Sequence, residues 1–368
     1  MSGELFRLCD DLGPSKIVHL SNMKVGLESI VVIDNTACGP AIGGTRMGRD
    51  VSVEECTRLA RAMTLKNSAA GLPHGGAKSV IFADPAMEPA AKEELIRAFA
   101  SAIRNLADYI PGPDMGTNEV AMAWIQDEIG RSVGLPREIG GIPLDDIGAT
   151  GFGLSIAAEV AEEFCALKLS GARVVVQGFG AVGTHAARFL ARKGATLIAA
   201  SDSHGAIFNA HGLDVEAVIA HKKAAGSVKG YVAGQPIDPK SLVSVECDIW
   251  IPAARPDVIT MANAGELRCK LLLQGANIPA SPEAEAQLHE RSILTVPDFI
   301  ANAGGVICAS VEYHGGTQAS ALAMIEEKIR HNVGEVLASA RDNGEMPRTA
   351  ALRLAKDRVR RAMELRRW

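Results

Sequence analysis

Apolar positions repeat with a helical period over residues 52–66, fall into short strand-like runs elsewhere in the first third, and alternate between the two patterns after about residue 145. Ser52-Val53-Glu54-Glu55 has the form of a capping box, and Cys56, Leu59, Ala60 and Met63 follow at three- and four-residue spacing. This predicts a helix with an inward apolar stripe. Lys66, three residues past Met63, continues the stripe and emerges from the same face. Gly71-Leu72-Pro73 breaks the helix, and Lys78 opens a strand-like run through Ser79-Val80-Ile81-Phe82. Upstream, only stretches such as Ser29 to Ile33 and the glycine-rich Gly39 to Met47 stand out. A second helix is predicted from Pro89 through Leu95, Ile96, Phe99, Ile103 and Leu106, stopped by Pro111. Pro111 to Thr117 reads as a loop holding Asp114 between turn residues, and a third helix follows around Val120, Met122, Trp124 and Ile125.

The later alternation of helices and β-branched runs is the signature of a parallel α/β domain. Thr150 to Gly153 opens a helix to Cys165, and Ala172 to Gln177 reads as a buried strand. Directly after it, Gly178-Phe179-Gly180-Ala181-Val182-Gly183 leads into a helix from Thr184 to Arg192, with a second strand over Ala195 to Ala200. In this strand-turn-helix setting the first glycine permits the turn, the second lets a pyrophosphate approach the backbone, and the third packs helix on strand. An acid about 20 residues past the glycines takes the ribose hydroxyls; Asp202, at the end of the second strand, comes slightly late for it, with Ser201 the alternative at the usual place, and no Arg or Lys follows at once to hold a 2′-phosphate. NAD is therefore expected in preference to NADP. Strands over Cys247 to Ile251 and Lys270 to Gln274 end in the loops Pro252-Ala253-Ala254-Arg255 and Gly275-Ala276-Asn277, which should face the nicotinamide.

With 368 residues, 47% of them hydrophobic, the chain can bury a large core and is long enough for two domains. A net charge of -5 without a basic run argues against nucleic acid or an anionic membrane as partner. The N-terminus does not resemble a signal peptide and no apolar run would span a bilayer, so a cytoplasmic protein is expected. Seven scattered cysteines and dispersed histidines point to reduced thiols and to no metal site. The basic helix predicted from Arg348 to Trp368 reads as exposed or intersubunit.

The chemistry concentrates between Met63 and Val80. Two lysines in a small, apolar segment require a reason, and two ammonium groups converging on a dry pocket would depress each other's pKa and yield a base near neutral pH. The alternative is a lysine snorkelling from a helix end beside a glycine turn. Asp114 likewise reads either as a solvated turn residue or as a proton carrier opposite the lysines.

Gly39-Pro40-Ala41-Ile42-Gly43-Gly44-Thr45-Arg46, Lys66-Asn67, Gly75-Gly76-Ala77-Lys78, Pro113-Asp114, Gly178 to Gly183, Gly275-Ala276-Asn277 and Asn302-Ala303-Gly304-Gly305 occur in that order. Together they resemble the superfamily of glutamate, leucine, phenylalanine and valine dehydrogenases over nearly the whole chain. The resemblance implies an α/β protein of two domains with a cleft between them. Residues 1–144, completed by the C-terminal helix 335–368, would form an N-terminal catalytic and oligomerisation domain. Residues 145–334 would form a Rossmann-like dinucleotide-binding domain.

By the same resemblance, Lys66 holds the substrate α-carboxylate, Lys78 is the base that activates water, and Asp114 shuttles protons to and from the amine. Asn277 and Asn302 orient substrate and nicotinamide. Ile42, Gly43, Gly44, Gly112, Val306 and Ala309 would complete the substrate site. Thr150, the Gly178–Gly183 loop, Asp202, Ala253 and Ala254 would hold the nucleotide. A homo-oligomer, hexamer or octamer, would convert an L-amino acid to the 2-oxo acid and ammonia, reversibly. Glutamate-specific members carry a lysine and a serine where this chain has Ile42 and Ala309. A γ-carboxylate without its counter-charge would cost about 2–5 kcal/mol, so an apolar side chain such as that of leucine, valine or phenylalanine is expected. A glutamate dehydrogenase, an enzyme for an unusual anionic amino acid read by Arg255, and a non-catalytic sensor are the alternatives. His74, before Gly75-Gly76, is atypical of the family and has no assigned role.

Overall fold

The computed structural model describes residues 6–366, which fall into two compact units. One comprises the chain to Leu144, Val306–Ala321 and Leu352 onward; the other comprises Asp145–Gly305 and Leu322–Ala351. The contacts thus differ from the expected division, grouping 306–321 with the first unit and 335–351 with the second.

In the first unit, β1 (Lys16–Asn22), β2 (Leu27–Asn35), β3 (Ala41–Met47), β4 (Gly75–Ile81) and β5 (Tyr109–Pro113) form a sheet of order β1-β2-β4-β3-β5. β3 runs parallel to β4 and β5, and β2 antiparallel to β1 and β4. The helices are α1 (Val53–Ala69), α2 (Pro89–Ala102) and α3 (Glu119–Ile129). One sheet face packs Met47, Ala77, Ile81 and Tyr109 against Leu95, Ile96 and Phe99 of α2. Full burial contributes about 1.5–3 kcal/mol for each large side chain there. The other face sets Ile30, Val32 and Val80 against Cys56 and Ala60 of α1.

Two expectations need correction here. Residues 111–113 are strand, not loop: β5 lies at the sheet edge, where Pro111 and Pro113 remove no ladder bond that an interior strand would need. In α1 the Ser52 hydroxyl does cap the Glu55 N–H at 3.1 Å. Its buried positions, however, include Cys56, Ala60, Thr64 and Asn67, while Leu59 and Met63 are half-buried. The inward stripe is therefore turned toward polar residues. Asn67 donates to the Gly75 carbonyl at 2.6 Å, and a Cβ on Gly76 would stand 2.0 Å from the Thr64 nitrogen.

The second unit is built on a seven-stranded sheet of order β12-β11-β10-β6-β7-β8-β9. Its strands are β6 (Arg173–Gln177), β7 (Thr196–Ser201), β8 (Ala206–Phe208), β9 (Gln235–Ile237), β10 (Ile249–Pro252), β11 (Leu271–Leu273) and β12 (Leu294–Val296). β12 through β7 are parallel, and β8 and β9 add an antiparallel edge. The helices after the first unit's three are α4 (Ala149–Ala161), α5 (Ala181–Arg192), α6 (Val215–Ala225), α7 (Pro282–Glu290), α8 (Asp298–Ala301), α9 (Gly304–Tyr313), α10 (Gln318–Asn343) and α11 (Pro347–Glu364).

The basic terminal helix α11 is not simply a solvated surface. Ala350, Ala351, Ala355 and Val359 are buried, and Arg348 pairs with Glu285 at 2.6 Å and Asp298 at 2.9 Å. Among the described residues, no helix is long and apolar enough to cross a membrane. None of their His, Cys, Asp and Glu side chains form a group of three or more that could hold a metal ion.

Candidate active site

Side chains on a strand alternate between faces, so residues two apart share one. On β3, β4 and β5 this rule gathers Ile42, Gly44 and Arg46; Gly76, Lys78 and Val80; and Ile110 and Gly112, with Asp114 next along. Register completes the grouping, because Gly44 pairs with Gly112 and Arg46 with Val80. Lys78, 6% exposed, reaches Asp114 Oδ2 with Nζ at 2.6 Å, and Arg46 Nε donates to the same oxygen at 2.9 Å. A Cβ on Gly44 would lie 2.8 Å from the Asp114 Cβ and 3.1 Å from Lys78 Nζ, so the site needs glycine there. The Thr117 hydroxyl accepts the Asp114 N–H at 2.9 Å and donates to the Thr45 carbonyl at 2.8 Å, fixing the end of β5. Burial pushes the Asp114 carboxyl up, but the Lys78 ammonium and the Arg46 guanidinium outweigh it and hold the group below its ordinary range.

Asp114 thus stands against Lys78, as its reading as a proton carrier requires, and not as a solvated turn residue. Lys66 is half-buried in the last turn of α1. Arg46 was legible only as part of a motif; its period-two spacing from Ile42 and Gly44 is the signal that could have placed it.

Farther along the same face, Ile42 and Ile110 join Val133 and Ala309 in a buried apolar cluster. Gly112 borders it, since a Cβ there would be 3.1 Å from Val133 Cγ2. Val133 and Ile110 were not anticipated, as nothing in sequence links residue 133 to residue 309. Gly43 serves packing, its Cβ position lying 1.7 Å from the Ala77 carbonyl oxygen, and Val306 is half-buried in α9. His74 is fully buried, with Nδ1 3.1 Å from the Pro40 carbonyl and its ring stacked on His314 at 5.3 Å.

In the second unit, β6 lies between β7 and β10, the point where strand order reverses, and the glycine loop follows β6 there. Gly178 has φ +95°, and a Cβ on it would strike Ala254 at 2.6 Å, so the loops after β6 and β10 touch. A Cβ on Gly183 would be 2.1 Å from the Gly178 carbonyl oxygen. At Gly180 it would meet nothing within 4 Å, and Gly180 caps α5 without any side-chain hydrogen bond. Open space and uncapped N–H groups at Ala181 and Val182 make this end of α5 fit a pyrophosphate.

Asp202 is arranged differently from the expectation. Its carboxylate already accepts from the His204 N–H at 2.9 Å, the Ser227 hydroxyl at 3.0 Å and the Val228 N–H at 2.7 Å, with Lys222 Nζ at 3.5 Å. Burial raises its pKa, but these donors prevail and the net shift is downward. Its negative charge persists beside the glycine loop, with little acceptor capacity left for ribose hydroxyls.

Asn302 Nδ2 ties together the Gly275 carbonyl at 3.2 Å, the Ala276 carbonyl at 3.3 Å and Asn277 Oδ1 at 3.1 Å. Asn302 is buried and its own Oδ1 is unpartnered, whereas Asn277 is exposed. Thr150, in the first turn of α4, has its Oγ1 3.2 Å from where a Gly305 Cβ would be. Ala253 donates its N–H to the Gln177 carbonyl at 2.7 Å, and Arg255 is exposed two residues on.

A parallel sheet with a glycine loop and an uncapped helix N-terminus at its switch point marks the nucleotide-linked dehydrogenases as a class. Residues 140–367 match the model for Glutamate/Leucine/Phenylalanine/Valine dehydrogenase, and residues 16–131 match the Glu/Leu/Phe/Val dehydrogenase dimerisation domain. The chain belongs to this family and is an NAD(P)-dependent amino-acid dehydrogenase.

Glutamate dehydrogenase from Aeropyrum pernix is 37% identical over 357 residues, covering 91% of this chain and 85% of its own. NADP-specific glutamate dehydrogenase from Saccharolobus shibatae is 35% identical over 356 residues, covering 90% and 83%. The structure of the hetero-hexameric glutamate dehydrogenase from Thermus thermophilus, in a Leu-bound form, superposes with a TM-score of 0.85. It is 30% identical, over 96% of this chain and 90% of that one.

Proposed function

We propose that this enzyme oxidatively deaminates an apolar L-amino acid, of the leucine, valine or phenylalanine kind, with NAD as acceptor. The observation that carries the reading is the buried apolar cluster of Ile42, Ile110, Val133 and Ala309, whose Ile42 and Ile110 lie on the sheet face that bears Lys78. A glutamate side chain buried there would lose its hydration without gaining a partner.

In this reading Lys66 pairs with the α-carboxylate. Asp114 rests as an anion whose Oδ2 is held by Lys78 and Arg46, leaving Oδ1 to accept a proton from the substrate amine. Lys78 activates the water that attacks C2 of the iminium, and the 2.6 Å contact between Nζ and Oδ2 lets a proton pass between the two groups. NAD supplies the hydride acceptor for the Cα hydrogen. Gly178, Phe179, Gly180, Ala181, Val182 and Gly183 would hold its pyrophosphate, with Thr150, Ala253, Ala254, Asn277 and Asn302 toward the nicotinamide. Asp202 favours NAD through its charge, which repels a 2′-phosphate, not through hydrogen bonds to the ribose. The unit of residues up to 144, 306–321 and 352 onward carries catalysis and assembly, the unit of 145–305 and 322–351 carries the nucleotide, and the assembly is a homo-oligomer, hexamer or octamer.

The second reading is a glutamate dehydrogenase, favoured by the names of the curated relatives. Following NADH formation across a panel of L-amino acids decides between them. Turnover with leucine, valine or phenylalanine and little with glutamate is expected, and a clear glutamate preference would overturn the apolar assignment. Ile42→Lys should then raise glutamate turnover at the expense of leucine.

A further inference from the structure

Glu312 is 8% exposed, and nothing in the chemistry above uses it. Its Oε1 accepts the N–H groups of Gly134 at 2.6 Å and Leu135 at 3.2 Å, and its Oε2 accepts that of Ile142 at 2.6 Å. Residues 134–142 therefore form a short loop whose two ends are drawn together at the neck by one side chain. Within it, Gly141 donates to the Pro136 carbonyl at 3.0 Å, and Ile139, 51% exposed, stands at the tip. All three donors at the neck are backbone N–H groups. Burial raises the Glu312 pKa, and the three N–H groups, each of which needs an acceptor oxygen, pull against that rise.

The residue just before the neck is Val133, a member of the apolar cluster. Its N–H donates to the Pro111 carbonyl at 2.9 Å, and Gly134, at φ +73°, lies against Pro113. Those contacts fix Val133 from the β5 side alone. Glu312 supplies the tie from the other side: it sits on α9 one turn past Ala309, and residues three apart on a helix share a face. One helix thus carries one residue of the apolar cluster and anchors the segment that carries another.

We infer that Glu312 is a positioning residue for side-chain selectivity, its carboxylate fixing Val133 relative to Ala309 by tying the neck of the 134–142 loop to α9. The inference rests on the apolar cluster being the substrate side-chain site.

Glu312→Gln keeps the size and one acceptor oxygen but turns an amide toward one side of the neck. In the full-length enzyme, kcat/KM is measured for the best apolar substrate and for alanine, along with KM for NAD and the melting temperature, in E312Q, V133A and the double variant. The ratio of the two kcat/KM values should fall about tenfold in E312Q, the scale of a methylene misplaced in an apolar pocket, with KM for NAD unchanged. It should fall in V133A as well, and E312Q should add nothing further in the V133A background.

A folded E312Q with wild-type selectivity, or one that slows all substrates equally, overturns the inference while a shifted V133A leaves the pocket assignment standing. An unchanged ratio in V133A overturns both. Should E312Q not fold, E312D withdraws the same charge by one methylene and is compared in its place with the same two outcomes.

Discussion

Gly43 and Gly76 beside Lys78 and Gly180 in the loop after β6 are glycines for opposite reasons. Around Lys78, Gly43 and Gly76 are glycine because backbone already occupies the space: a Cβ would stand 1.7 Å from the Ala77 carbonyl oxygen and 2.0 Å from the Thr64 nitrogen. In the loop after β6, Gly180 is glycine with nothing within 4 Å of its Cβ position. The first set lets α1 and three strands press together, so that Lys78 and Asp114 meet. The second leaves room at a helix N-terminus. Composition alone reads both as glycine-rich turns, and only the distances separate packing from vacancy.

The sharpest way to break this comparison is to add a methyl group in each region. Gly43→Ala and Gly76→Ala should each cost more than about 3 kcal/mol, beyond ordinary overpacking, because the clash is with backbone that cannot rotate away. Little folded protein is expected, as checked by thermal unfolding and size-exclusion chromatography. Gly180→Ala should leave stability within about 0.5 kcal/mol of wild type. It should weaken NAD binding by about tenfold or more, read by calorimetry. A stable Gly43→Ala, or a Gly180→Ala that binds NAD normally, would erase the distinction.

How much of this was legible follows the same line. The second unit announced itself because its central strands β6 and β7 are short apolar runs ended by glycine or serine, and because Gly178 to Gly183 sits between strand and helix. Its three-residue strands β8, β9 and β12 are too short to impose a period. In the first unit the motif residues were recognisable, but their geometry was hidden. Pro111 and Pro113 hide β5 in the sequence, because prolines break strands everywhere except at an edge, and edge position is a property of the folded sheet. With β5 missing, Asp114 could not be aligned with Gly44 and Lys78, and Arg46 went without a role. Asp202 was identified as an acid near the right place, yet the donors that occupy it, Ser227 and Val228, come from a distant segment.

A smaller effect is expected from the chemistry than from the fold, and it sharpens the contrast by separating turnover from nucleotide binding. Lys78→Ala should lower kcat by about 10²–10⁴-fold, the usual contribution of a general base. NAD affinity should stay at the wild-type value, since the nucleotide residues lie in other segments. If Lys78→Ala loses NAD binding in step with turnover, the division of labour between the two glycine-rich regions is wrong.

The mildest and most diagnostic change is at Arg46. Burial alone would raise the Asp114 pKa, and two cations on Oδ2 bring it below its ordinary value of 3.8. A carboxyl with a lowered folded pKa lends stability above its unfolded value and loses it as pH falls through the folded one. A proton carrier that must start as an anion gives activity with the same acid limb. Arg46→Gln removes one cation while Lys78 stays, so the Asp114 pKa rises, and both the acid limb of kcat/KM and the onset of acid destabilisation move to higher pH. Glu55, 3.3 Å from the same guanidinium and 36% exposed at its side chain, is too well hydrated for its own change in partner to mask this. At neutral pH Asp114 stays ionised, so turnover should fall by no more than about tenfold. Rate profiles of wild type and R46Q across the acid range give the comparison. An acid limb that does not move would mean that Arg46 is a strut for β3 and not an electrostatic partner of the proton carrier.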